Sequence, residues 1–395
     1  MSNFFKNIIL ILISIIITLF MIEIYLNLID YKSNKEKRNL ELQKLTESKG
    51  KEFLTKYEFF EKYKNKNPLA VVSINSLMYD LNSFEDFLPL TSISNKETIH
   101  CNENGYFSIY NADRYGLNNY NPVWNESEID YLLVGDSFVH GACVNYRDTI
   151  TENLKLLTNK KIINVGVSSS GPLFQFAILK EFLKKKKTSK VIWFFYEGND
   201  LKNLVTESKS QILISYLINQ NFYQNIFENQ SLTDKIFLSK LKYEEQNRKE
   251  SNFEKKNKLK KILTLHNLVR IKNEYRKSIK LHKKDEIEFN KEYRDLLNKI
   301  FEEIKNLSKK YNFEFSIVYL PNIQRFKKTK KFNREFETIS KIVELNNFKL
   351  IDLADEITKN KIPINEIYPP LNRDDLHFNE KGYFFITKKV YQYLN

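Results

Sequence analysis

A few polar side chains, widely separated in the chain, have the types that acyl transfer requires. Ser137 closes the run Tyr131-Leu132-Leu133-Val134-Gly135-Asp136-Ser137, and Asp374 and His377 stand three residues apart near the C-terminus. A serine hydroxyl is a weak nucleophile at neutral pH and needs a base beside it. A histidine can be that base, and a carboxylate can hold the imidazole in one tautomer and stabilise the imidazolium. Asp374 is expected to supply the carboxylate, with the adjacent Asp375 as the alternative. An oxyanion needs fixed donors. The candidates are the Ser137 N–H, an N–H from Ser169 or Gly171 in the run Asn164-Val-Gly-Val-Ser-Ser-Ser-Gly-Pro172, and the side chain of Asn199 in Glu197-Gly198-Asn199-Asp200. The bland alternative is that Ser137 only caps the helix that follows it.

These residues must be brought together by the elements around them. Leu132–Val134, Ile162–Gly166, Val191–Tyr196, Phe313–Leu320 and Phe348–Leu353 are short apolar runs expected to be strands. Thr149–Leu157 and Leu173–Lys186 read as helices between them. Continuous apolar strands alternating with helices imply a parallel sheet covered on both faces. Such sheets place their sites at the C-terminal strand ends, and the Ser137, Asn164 and Asn199 clusters each follow a strand. His140 would lie on the helix after Ser137 and reads as structural. His100, His266 and His282 lack an acid at matching spacing and read as surface residues.

Taken together, the blocks Gly135-Asp136-Ser137, Asn164 to Gly171, Gly198-Asn199-Asp200 and Asp374-x-x-His377 resemble the SGNH/GDSL hydrolase superfamily. Two positions depart from its pattern: Glu197 stands where the family has an earlier glycine in the third block, and Ser169 stands five residues after Asn164 where the family has glycine. The resemblance implies a flavodoxin-like three-layer α/β/α sandwich. It also implies esterase, lipase or O-acyltransferase activity through Ser137, His377 and Asp374, with no metal and no cofactor. Hydrolase and transferase share an acyl-enzyme and differ in whether water or a sugar hydroxyl attacks it. Proteins of this kind often add or remove acetyl groups on cell-envelope polysaccharides, so the expected partner is an acyl ester of a polysaccharide or lipid. A second hypothesis is a membrane-anchored binding or assembly module that keeps the fold without using the site.

The 395 residues are 42% hydrophobic and 14% aromatic, enough for a substantial core. The net charge of +14 is spread along the chain and comes with no zinc-ligand spacing, phosphate loop or RNA-binding aromatic motif, so nucleic acid is not an expected partner. Residues 1–30 read as an uncleaved transmembrane signal anchor, since Ile8–Ile22 carries no charge and the apolar character continues to Ile29 with Glu23 as its one blemish. Lysines after the span favour a cytoplasmic main domain by the positive-inside rule, but long domains translocate largely regardless of charge. An extracytoplasmic, periplasmic site is the expectation, with a cytoplasmic-face lipase as the alternative topology. Residues 31–67 read as a charged helical spacer, 68–129 as an irregular lead-in segment, and 130–395 as the hydrolase-like domain with a helical insertion at about 201–310. That insertion is either a solvated lobe or a lid over the site. Cys101 and Cys143 are either two thiols or one disulfide tying the lead-in segment to the edge of the site.

Overall fold

The computed structural model describes residues 3–29, 32–74, 81, 84–255, 262–287, 291–326, 329–373 and 375–394. The chain forms two compact units, one of residues 41–239 and 287–395 and one of residues 1–40 and 240–286.

In the larger unit the helix Lys56–Tyr63 precedes a small sheet of β1 (Val71–Val72), β2 (Glu97–Ile99) and β3 (Ile109–Asn111). It then builds a parallel sheet from β4 (Glu128–Val134), β5 (Ile162–Asn164), β6 (Lys187–Tyr196), β7 (Glu314–Leu320) and β8 (Lys349–Asp352), in the spatial order β5-β4-β6-β7-β8. Counted along the chain, these strands run 2-1-3-4-5, the doubly wound order of flavodoxin-like folds. Side-chain alternation sends Leu132, Val134, Trp193 and Phe195 into one core, with Phe176 and Phe182 of the helix Pro172–Lys185 and Phe301 of the helix Lys291–Tyr311. Leu133, Ile192, Phe194 and Val318 point the other way, onto Ile150 and Leu154 of the helix Ile150–Thr158 and Ile386 and Val390 of the helix Glu380–Leu394. Both faces are therefore covered, which explains why the strands read as continuous apolar runs rather than alternating ones.

Much of the segment expected as an insertion belongs to this packing. Leu204, Leu213, Tyr216, Leu297, Ile300 and Phe301 are buried in the first core, and Trp193 meets Phe301 edge to face at 6.2 Å. Residues 240–286 instead group with the N-terminal 40 residues. The lead-in segment is ordered around buried Asp113, which accepts from Tyr115 N, Leu117 N, Asn119 Nδ2 and Trp124 Nε1 at 2.7–3.0 Å. Asn119 Oδ1 in turn accepts the N–H of Asn164 at 2.8 Å, tying this segment to the end of β5.

In the smaller unit, the helix Asn3–Leu28 contains one stretch, Phe4–Leu28, long and apolar enough to cross a membrane, with most of its side chains exposed. Glu23 is buried. Its carboxylate accepts from Asn267 N at 3.0 Å, Asn267 Nδ2 at 3.1 Å and Leu268 N at 3.0 Å, satisfying free N–H groups at the start of the helix His266–Ile287. The acid that looked out of place in an apolar span thus has a structural use. Arg270 pairs with Glu36, and Asn34 N donates to Glu274 Oε1 at 3.2 Å, extending the same contact.

Candidate active site

Strand β4 ends at Val134 and the chain turns at once into the short helix Ser137–His140. Gly135 makes that turn possible by its small size: a Cβ there would lie 2.6 Å from Val139 Cγ2 and 2.9 Å from the Phe194 carbonyl oxygen. Asp136, not Ser137, caps the helix, accepting the Phe138 N–H at 3.0 Å. Ser137 is the first helical residue, and its Oγ is left to the site. It lies 2.8 Å from His377 Nε2 and 3.3 Å from Asp136 Oδ2. The helix has only four residues, so a large dipole cannot be what acts on the serine.

His377 reaches Ser137 from the loop that precedes the helix Glu380–Leu394, with its ring 4.9 Å from that of Phe138. Its other ring nitrogen, Nδ1, faces Glu103 Oε2 at 3.2 Å, and the same oxygen accepts the His377 backbone N–H at 2.8 Å. Asp374 lies outside the described residues. Asp375, the alternative acid, is exposed and lies with both carboxylate oxygens on Arg373, at 3.1 and 3.3 Å. Burial alone would lower the His377 pKa. The Glu103 charge and hydrogen bond, with Asp136 behind them, outweigh burial and hold it above the ordinary value of 6.5.

Glu103 comes from the lead-in segment, 274 residues from His377, and no periodicity or motif singled it out. One signal did exist: Glu103 is two residues from Cys101, whose pairing with Cys143 would reach the edge of the site. That pairing is formed. Asn104 Nδ2 also donates to the Cys143 carbonyl at 3.0 Å, Lys49 Nζ donates to the Asn104 carbonyl at 2.6 Å, and the Tyr106 hydroxyl donates to Glu380. Ligand atoms of Glu103, Cys143 and His377 converge within 4.8 Å, but the Cys143 sulfur is in the disulfide and offers no thiolate to a metal.

The loop after β5 passes beside the serine. Val167 N donates to the Gly135 carbonyl at 3.2 Å, and Ser170 Oγ donates to the same carbonyl at 3.4 Å. Ser169 has φ 65°, the left-handed conformation that glycine adopts freely. The backbone expected of a glycine is therefore kept, with a serine side chain carried in it. The Gly171 N–H points elsewhere: it donates to Glu207 Oε1 at 2.5 Å, while Glu207 Oε2 accepts from Leu173 N and Phe174 N at 3.1 and 3.2 Å. Glu207 thus caps the helix Pro172–Lys185, and Gly171 does not serve as a free oxyanion donor. Asn164 is also structural, donating to the Val139 carbonyl at 2.6 Å and accepting from Gly166 N at 2.7 Å. The Asn199 side chain opposes the rise of the Asp136 pKa, and its Oδ1 is buried without a hydrogen-bond partner among the described residues. Glu197, in place of a glycine, is buried on Arg325 at 2.7 Å and accepts the Asn322 N–H at 2.6 Å. Burial pushes its pKa up to about 7 even against the Arg325 charge.

Asp136 and Asp200 are both fully buried, and each carboxyl is pushed above its usual range, first by burial; the Asp136 charge adds to the rise at Asp200. His140 lies on the helix after Ser137, as its structural reading had it, and is buried with Nδ1 on the Gly166 carbonyl at 3.3 Å. His100 is buried too, contrary to its reading as a surface residue. It stacks edge-on to His140 at 4.7 Å with Nε2 3.2 Å from Ser168 Oγ.

No family model matches the chain, and no curated protein sequence matches it. Among solved structures, it is similar to a protein assigned to the G-D-S-L lipolytic family from Desulfitobacterium hafniense DCB-2, at 10% identity and a TM-score of 0.38, over 67% of this chain and 98% of that one. It is also similar to an acetyl xylan esterase at 15% identity and a TM-score of 0.36, over 68% of this chain and all of the other.

Proposed function

We propose that this protein is a membrane-anchored serine esterase or O-acyltransferase of the SGNH type, acting through an acyl-enzyme on Ser137. The observation that carries the reading is the 2.8 Å contact between Ser137 Oγ and His377 Nε2 at the C-terminal edge of a parallel sheet. Ser137 Oγ attacks the ester carbonyl while its proton passes to His377 Nε2. The Ser137 and Ser169 N–H groups, which have no hydrogen-bond partner among the described residues, and the Asn199 side-chain amide stabilise the oxyanion. Collapse expels the alcohol, which takes the proton from His377 and leaves the acyl group on Ser137. Water or an acceptor hydroxyl then attacks, His377 takes its proton, and the acid or the new ester departs as Ser137 regains a proton.

Two features support an acyl ester of the cell envelope, polysaccharide or lipid, as substrate: the apolar helix Phe4–Leu28, and the Cys101–Cys143 disulfide, which fits an oxidising compartment outside the cytoplasm. The test uses the full chain in detergent with a short-chain aryl ester and a fluorophosphonate probe. Ser137→Ala should abolish both turnover and labelling, and unchanged turnover in that variant would reject Ser137 as the nucleophile.

A further inference from the structure

We infer that Glu103, not the acid of the Asp374-x-x-His377 turn, is the carboxylate that orients His377, and that the Cys101–Cys143 disulfide holds it in place. The inference rests on the Ser137–His377 reading and deepens it. A base that takes a proton at Nε2 must present a lone pair there, so its N–H must be on Nδ1. Something has to accept that N–H and then face the imidazolium. Glu103 Oε2 stands 3.2 Å from Nδ1 and 2.8 Å from the His377 main-chain nitrogen. One oxygen therefore fixes both the position of the residue and the tautomer of its ring. The carboxylate is only 5% exposed, so its attraction for the ring is little screened by water. Its second oxygen faces Arg373 at 3.6 Å, so the negative charge is compensated without taking Oε2 away from the histidine.

An acid on a loop far from its base in sequence needs an external brace. The segment around Glu103 has one on every side. Cys101 is bonded to Cys143, Asn104 Nδ2 donates to the Cys143 carbonyl, Lys49 holds the Asn104 carbonyl, and Tyr106 is bound to Glu380 at the start of the helix that follows His377. Cys143 in turn sits six residues beyond Ser137, in the turn that leaves the nucleophile's helix. The bridge thus ties the acid to the segment that carries the nucleophile. Ester turnover by this protein depends on that bridge.

The test compares Glu103→Gln, Glu103→Asp, Asp374→Asn and a Cys101→Ser/Cys143→Ser double variant with Ser137→Ala and His377→Ala. All are full-chain proteins in detergent, assayed with p-nitrophenyl acetate and checked for folding by circular dichroism. Glu103→Gln should lower kcat by roughly 10⁴-fold, the size of loss seen when the acid of such a triad is neutralised. It should also move the acid limb of the kcat/KM profile to lower pH, because the charge that raises the His377 pKa is gone. A structural contact alone would not shift that limb. Glu103→Asp should recover part of kcat, and Asp374→Asn should stay within a few-fold of wild type. Bridge removal should lower kcat in the wild-type background and cost little more in the Glu103→Gln background, since both act through one contact. The inference is overturned if Glu103→Gln keeps its rate and pH profile while Asp374→Asn loses both. A folded Glu103→Gln that loses rate with its acid limb unmoved also overturns it, and if Glu103→Gln fails to fold, a folded Glu103→Asp with undiminished kcat overturns it instead. Full activity without the bridge overturns the disulfide's part. If Ser137→Ala and His377→Ala stay active, the underlying serine-esterase reading falls instead.

Discussion

Gly135→Ala tests whether the position of Ser137 is set by the packing of its turn. An alanine Cβ would stand 2.6 Å from Val139 Cγ2 and 2.9 Å from the Phe194 carbonyl oxygen, where ordinary contact begins at 3.4 Å. The shortfalls are about 0.8 and 0.5 Å. Neither neighbour can yield easily. Val139 is fully buried and β-branched, so its rotamer is stiff, and Phe194 belongs to the central strand β6, paired on both sides. The turn itself must move, and Ser137 is two residues away. If a misplacement of about 1 Å costs ~10²-fold, a shift of 0.5–0.8 Å should lower kcat roughly 10- to 40-fold. Overpacking of this kind should also destabilise the fold by about 1–3 kcal/mol. Aryl-ester kinetics and a thermal melt on the full-chain protein measure both. A folded Gly135→Ala with kcat within two-fold of wild type would refute the idea that this turn fixes the nucleophile.

Two further outcomes follow from residues of the site. Ser169→Gly should raise stability by about 0.5–1 kcal/mol, because relief of the left-handed conformation, about 1–2 kcal/mol, exceeds the extra unfolded-state freedom of glycine, about 0.5–1 kcal/mol; a thermal or denaturant melt that shows destabilisation would contradict the assigned φ of 65°. In the proposed mechanism His377 must be neutral to act as base, and its pKa is held above 6.5, so the acid limb of the rate profile should have its midpoint above 6.5 and activity should rise as pH increases through it.

The sheet was legible because it is buried on both faces. Val191 to Tyr196 has no polar interruption, and no solvent-exposed element of that length would. The runs expected as strands are all strands, with ends that coincide or differ by up to four residues. The position of Ser137 was legible for a related reason: a strand end followed by Gly-Asp-Ser confines a side chain to one edge of the sheet. What the sequence hid is long-range. Whether Gly171 could donate depended on Glu207, which lies 36 residues on and takes its N–H. Ser137 looked like a helix cap because Asp136 and Ser137 are both good caps, and only the backbone angles select Asp136. Glu103 sits in a stretch without helical or strand period, so its only clue was a neighbouring cysteine whose partner could not be deduced.

The position of Glu103 changes what keeps the site in register. In an Asp-x-x-His turn, acid and base share one short stretch of backbone, so their separation survives movements of that stretch, but the pair as a whole can drift from the serine. Here the acid is covalently referenced to Cys143, beyond the nucleophile's helix, and hydrogen-bonded through its segment to the helix that follows the histidine. The acid therefore joins the loops of Ser137 and His377 from outside both. Tyr383 adds a second tie, donating its hydroxyl to the Ala142 carbonyl at 3.2 Å. A displacement of either loop is opposed by contacts to the same segment, which keeps the 2.8 Å Ser137–His377 contact fixed without relying on the dipole of a four-residue helix. The strength of that arrangement is also its dependence: the segment that carries Cys101 and Glu103 cannot be removed or unlinked without taking the Glu103 carboxylate away from His377.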